Sequence, residues 1–177
     1  MQPNAHSLLL LSMLGLVGCN SAPLPQLPSL MDIDLHKFSG TWYVLSSIPT
    51  LFEKDAYNAT EHYALTDKNR VSTTFTFNKN SPNGDLRSFT STGFVSKESN
   101  ALWGMQFIWP FKAEYRILHI DKGYEHVVIG RSARDYLWIM AREPIIPEEK
   151  LVALEELAIH LGYDKEKIVR IPQTSRE

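Results

Sequence analysis

Cys19 is the only cysteine among the 177 residues, and it follows Leu16-Val17-Gly18 at the end of a largely apolar run, Leu8 to Val17. A lone thiol has no partner for a disulfide and no companions at zinc spacing, so the chemistry open to it is covalent modification. His119 and His126 flank a turn and offer imidazole nitrogens that could ligate haem or another tetrapyrrole; packed or solvated rings are the plainer reading of both. Glu61 falls on an inward position of a predicted strand, where a carboxyl is out of place, and reads as a rim residue or a slip of register. The sequence contains no Gly-x-Ser-x-Gly elbow, phosphate loop, metal-spaced His/Cys set or dinucleotide glycine pattern. No catalytic residue, metal site or cofactor is expected, and the chain does not read as an enzyme.

The apolar run before Cys19 is too short to span a bilayer, which needs about 20 residues, but it has the length of a secretory h-region. Residues 1–18 therefore read as a signal peptide. The Leu-x-Gly-Cys ending resembles the lipobox of bacterial lipoproteins, which implies that Cys19 is acylated, with palmitate among its chains, and tethers the protein to a membrane. One acyl chain binds a bilayer marginally, whereas two or more hold stably. Asn20, where an Asp would stand in an inner-membrane protein, implies by the same resemblance the outer membrane and its periplasmic face. Residues 19–34, with Pro23, Pro25 and Pro28, read as a stiff extended tether.

Removal of the leader leaves 159 of 177 residues, enough for one domain, here expected over residues 35–172 with a short tail at 173–177. The net charge of −2 carries no basic excess, which excludes a nucleic-acid partner recognised by charge. Eight β-rich segments follow one another at about 41–48, 57–66, 70–78, 86–96, 101–108, 113–120, 124–131 and 135–142, with tight turns at 66–69 and 121–123. Val71, Thr73, Phe75 and Phe77 alternate with Ser72, Thr74 and Thr76, the pattern of a sheet with one wet face. Beyond Pro144 the period changes. Pro147, Glu148 and Glu149 open a helix whose apolar stripe runs Leu151, Leu154, Ala158 and Leu161, with a stop at Gly162 and an extended end at 168–171. The fold class is all-β: an eight-stranded antiparallel up-and-down β-barrel with one C-terminal α-helix packed on its outside.

Gly40-Thr41-Trp42-Tyr43 at the first strand, Asp121 near Tyr124, and Asp135 to Pro144 ahead of the helix together resemble the lipocalins, in particular their bacterial lipoprotein branch, related to apolipoprotein D. The resemblance spans about residues 35–172 and implies a closed barrel around one small ligand. In an up-and-down barrel the start of strand one, the turn between strands six and seven and the end of strand eight meet at one end. Gly40, Trp42, Asp121 and Arg142 are therefore expected to cluster, and by resemblance Arg142 lies across the Trp42 ring and plugs the closed end. Ser46, Ser47, Glu61 and His62 depart from the family's less polar choices.

With Trp42 and Arg142 inward, alternation carries Tyr136, Trp138 and Met140 inward too, and the family register adds Phe75, Phe89, Trp103, Met105, Phe107, Tyr115 and Ile117. This aromatic lining is the expected ligand-binding wall, and the hydroxyls of Tyr115 and Tyr136 argue against a solid core. A chain of about 16 CH₂ groups gains up to roughly 13 kcal/mol on full burial, much of it consumed by association. The resemblance implies a fatty acid or lysophospholipid as partner, for lipid storage or transport in envelope maintenance. The open rim holds Leu51, Phe52, Trp109 and Phe111 with Lys54, Lys79, Lys112, Arg131 and Arg134 balanced by Glu53, Asp55, Asp85, Glu114 and Asp135. That apolar rim could equally meet a membrane or a second copy, giving a homodimer. A tetrapyrrole carrier using His119 and His126, and a structural envelope lipoprotein with a filled barrel, are the alternatives.

Overall fold

A computed structural model describes residues 24–28, 32–50, 53–67 and 69–174. The leader 1–18, Cys19, Leu51 and Phe52 lie outside the described residues, as does most of the tail. A single turn of helix, α1 (Leu35–Phe38), precedes eight strands: β1 (Gly40–Ile48), β2 (Ala56–Asp67), β3 (Arg70–Lys79), β4 (Leu86–Val95), β5 (Leu102–Ile108), β6 (Phe111–Ile120), β7 (His126–Gly130) and β8 (Leu137–Ala141). Each strand pairs antiparallel with the next, and β1 pairs with both β2 and β8, so the sheet closes on itself. The expected eight-stranded antiparallel barrel is present, with strand limits displaced by one or two residues.

Alternation along the closed sheet separates two cores. The inner one holds Trp42, Val44, Tyr63, Val71, Phe75, Trp103, Met105, Ile129, Trp138 and Met140. The outer one joins Ile48, Leu118, Val128, Leu137 and Ile139 to Leu154 and Ala158 of the second helix, α2 (Glu148–His160), and to its C-cap Leu161. Pro147 at its N-cap and Glu148 and Glu149 in its first turn suit the positive end of a helix, and the stripe predicted from spacing is the stripe that packs. Beyond α2, the Tyr163 hydroxyl accepts from the Arg131 amide and donates to its carbonyl, both at 3.0 Å, directly over Gly130. A Cβ at Gly130 would stand 2.0 Å from that oxygen, which is why the position carries no side chain.

Described residues on both sides of the strand run contribute more than their sequence suggests. Leu27 packs on the outer core, Ile33 plugs the inner one, and Asn100 bonds both backbone groups of Ile33, at 2.8 and 2.7 Å. The described part of the expected tether therefore lies against the barrel. β1 pairs with β2 only from Gly40 to Tyr43; farther along it bends at a bulge between Val44 and Ser46 and takes a two-residue strand, β9 (Val169–Arg170), as its neighbour. Gln173 Nε2 spans the resulting seam, donating to Val44 O at 2.8 Å and to Ala59 O at 3.0 Å. Gln173 is thus part of the barrel wall.

Candidate functional site: the barrel bore

At the closed end, Gly40, Trp42 and Arg142 come together as expected. The Arg142 guanidinium lies 3.8 Å from the Trp42 ring centre and donates to the carbonyls of Thr41, Lys37, Phe38 and Ser39 at 2.6–3.0 Å and of Tyr124 at 3.3 Å. Trp42 Nε1 donates to Phe38 O at 2.8 Å. Gly40 has φ +100, and a Cβ there would press on Arg142 Nη1 at 3.3 Å. Asp121 contributes at one remove: its carboxylate accepts from the Glu125 amide and from His126 Nδ1 at 2.6 Å, which shapes the turn so that the Tyr124 carbonyl reaches Arg142. Burial tends to raise the Asp121 pKa, but those bonds outweigh it and the pKa is lowered. Sequence reading misses α1, whose Lys37 and Phe38 carbonyls, with that of Ser39 just beyond it, accept from Arg142 Nη2.

Above this floor the bore is lined by two aromatic layers. In the lower one Phe38 meets Trp42, Tyr63 and Trp103, and Trp103 stacks on Tyr115 at 5.3 Å. The Tyr63 hydroxyl on β2 bonds the Tyr115 hydroxyl on β6, straight across the barrel. The Tyr115 hydroxyl, expected to argue against a solid core, is satisfied within the protein by Tyr63, a residue the sequence reading does not name. In the upper layer Phe75 on β3 stacks on Trp138 of β8 at 4.9 Å, again across the bore, with Tyr136, partly exposed, at 5.3 Å from Trp138. Met105, Ile117 and Met140 are buried in the wall as predicted.

Phe89 and Phe107 are the corrections. Phe89 keeps the inward register, opposite Phe75, yet is 45% exposed, and Phe107 is 61% exposed. The cause is the short ladder between β4 and β5, which joins only Thr92–Val95 to Trp103–Gln106, followed by a shift of register between Met105 and Ile108. Beyond it the strands part, and Leu86, Phe89, Phe107, Ile108, Trp109 and Phe111 form an exposed apolar rim at the open end. Lys112 sits over Phe94, Arg131 pairs with Asp135, and Arg134 donates to Leu161 O and Ser132 O, so these rim cations are engaged by the protein itself.

Glu61 is neither a rim residue nor a slip of register. It sits on β2 opposite Trp42 and Phe75, is 2% exposed, and its Oε2 lacks a hydrogen-bond partner among the described residues. Burial pushes its pKa well up against a downward pull from the Thr73 hydroxyl, and the neighbouring Glu53 carboxyl adds to the rise. Glu53, in the loop over the mouth, is likewise raised by burial. Ser47 Oγ, buried in the β1 wall opposite Trp138, is unpartnered as well.

The histidines sit elsewhere. His126 is held by Asp121, while His119 lies opposite Val128, an outer-core residue, and its pKa is lowered by burial with Lys150 of α2 adding to the effect. Neither faces the bore. Asp121, Glu125 and His126 form an acidic group at the closed end whose carboxylate and imidazole bonds are those of the turn.

The profile of the lipocalin-like domain matches residues 33–173. The outer membrane lipoprotein Blc of Escherichia coli (strain K12) is 27% identical over 161 residues, covering 89% of each chain. Apolipoprotein D of Mus musculus is 29% identical over 164 residues, covering 85% of this chain and 82% of its own. Among solved structures, insecticyanin from the tobacco hornworm Manduca sexta superposes with a TM-score of 0.64 at 14% identity, over 86% of this chain and 87% of that one, a likeness of fold. An antiparallel barrel shut at one end by Arg142 on Trp42, matched from before its first strand to the seam at Gln173, makes this chain a member of the lipocalin family.

Proposed function

We propose that this protein is a non-enzymatic carrier, tethered through acylated Cys19 to the periplasmic face of a bacterial outer membrane, that holds a single-chain amphiphile such as a fatty acid or lysophospholipid in its bore. The observation that carries the reading is the enclosed wall: Phe75, Trp103, Met105, Tyr115, Ile117, Trp138 and Met140 are each less than 8% exposed, on the inside of a sheet whose other end is ringed by exposed apolar side chains. Phe75 and Trp138 are held against each other chiefly by dispersion and apolar burial, which a hydrocarbon chain can replace when it parts them. Blc and apolipoprotein D relatives support a hydrophobic guest and, for Blc, an outer-membrane setting.

Native mass spectrometry of the purified protein reads the guest directly, and a lipid-sized mass that dissociates on collision is expected. Saturable change of tryptophan emission on titration with a long-chain lysophospholipid or fatty acid is the companion measurement. A flat response to both, with no copurified lipid, sinks the carrier reading in favour of a purely structural barrel, for which the contacts across the bore would be its permanent filling. Labelled palmitate incorporated by wild type and lost in Cys19→Ala tests the anchor.

A further inference from the structure

A carboxyl buried inside an apolar barrel without a counter-ion is costly unless it is protonated or has a partner that arrives from outside. Glu61 is in that position: Trp42 and Phe75 are its neighbours on either strand, the Thr73 hydroxyl acts on its carboxyl, and Oε2 has no partner among the described residues. The Ser47 hydroxyl, fully buried in the same wall, is equally unpartnered. A second acid, Glu53, acts on Glu61 and on Tyr136 from the mouth. The described cations do not answer them. Arg142 lies beneath Trp42 with its donors spent on backbone carbonyls, and Arg87 at the rim is paired with Asp85. Around Glu61 stand aromatic faces, Phe75 stacked on Trp138 and Trp138 against Tyr136. An ionisable Glu61, the Ser47 oxygen and the π-faces suit a cation, while Trp138 Nε1, the other unpartnered buried donor of this wall, has the Glu53 carboxyl at the mouth as its neighbour.

We infer that the polar group the bore is built to receive is a protonated amine on an apolar body, with Glu61 as its counter-ion, Ser47 as an acceptor for one of its protons, and the Phe75 and Trp138 rings around it. The inference rests on the carrier reading and specifies the guest's head. A carboxylate guest finds no counter-ion there, whereas an ammonium draws Glu61 into its ionised form and partners Oε2.

The test compares three amphiphiles of one chain length, decylamine, decanol and decanoate, at pH 7. They are titrated into the full chain held in phosphatidylcholine nanodiscs, with empty discs subtracted, and read by heat and by tryptophan emission. Expected are at least tenfold tighter binding of the amine than of the alcohol, and weaker binding of the carboxylate than of either. In Glu61→Gln the amine should fall to within twofold of the alcohol measured on the same variant, while Glu61→Asp, which keeps the charge, retains a preference. Equal affinities, a preference for decanoate, or an amine preference that survives Glu61→Gln overturns the assignment and leaves the carrier reading standing. Failure of all three to bind removes both. The wild-type order of heads decides the matter even if a variant folds poorly.

Discussion

The Arg142 guanidinium sits 3.8 Å from the centre of the Trp42 ring while donating to five backbone carbonyls, those of Lys37, Phe38, Ser39, Thr41 and Tyr124. One side chain thus joins α1, the start of β1, the β6–β7 turn and the end of β8, segments more than 80 residues apart in sequence at the widest. Its planar fork is the reason arginine occupies the site, since several donors at fixed angles reach several acceptors at once.

Arg142→Ala removes the ring contact, worth about 0.5–2 kcal/mol, and strands carbonyls that were bonded to a cation. The expected loss is about 2–3 kcal/mol, seen as a lower urea midpoint with an unchanged slope. Arg142→Lys should recover less than half, because three donors on a point charge cannot serve five carbonyls. A loss below about 0.5 kcal/mol for the alanine variant would show the plug to be incidental.

The bond between Tyr63 and Tyr115 gives a different signature. Either single change to Phe leaves one buried hydroxyl without its partner, at about 1–2 kcal/mol, whereas changing both removes donor and acceptor together and costs less than the sum. Chemical denaturation of the two single variants and the double variant closes the cycle; strict additivity would deny the bond.

Glu61 fixes the sign of a pH effect. Burial holds its carboxyl protonated in the folded protein above the ordinary value of 4.5, at which the unfolded chain releases its proton. The folded state then binds more protons than the unfolded one, so stability falls as pH rises from about 4.5 and the loss is complete only above the raised folded value. Glu61→Gln should abolish this slope. Its melting temperature, compared with wild type in the ligand-free protein, is expected to gain a few degrees between about pH 5 and pH 8, at roughly 2–4 °C per kcal/mol for a chain of this size. A constant difference across that range would contradict a protonated, buried Glu61.

Trp109 and Phe111 are 82% and 76% exposed, so their replacement by serine touches no core. Stability should change by less than about 0.5 kcal/mol. Association with lipid vesicles, or with a second copy as judged by sedimentation, should weaken in the double variant. If neither moves, the apolar rim serves no contact surface.

How much of this was legible beforehand follows from which residues obey simple periods. The strands alternate and turn at Gly, Asn and Asp, and the helix carries Pro147, two acids and a 3–4 spaced stripe, so elements and topology could be read residue by residue. Bulges could not. The register shifts between Val44 and Ser46, Met105 and Ile108, and Ile117 and His119 each reset the alternation, and no side-chain pattern announces them. That is why Phe107 was placed inside and lies outside. Tyr63 follows His62 in a segment of mixed polarity that hides it, and the period of two extended from Glu61 leads to it, across the bore from Tyr115. At Glu61 the strand itself is regular, and the exception is chemical.

Gln173 reaches back to residues on β1 and β2 that precede it by more than 110 positions, and the wall between those strands is stitched by it and by β9. Closure therefore involves partners drawn from the opposite extremes of the polypeptide, an arrangement of high contact order that folds slowly. Until residues 169–173 are in place the vessel stays unsealed along one side, so a guest that depends on a complete wall can be held only once the whole domain has been delivered.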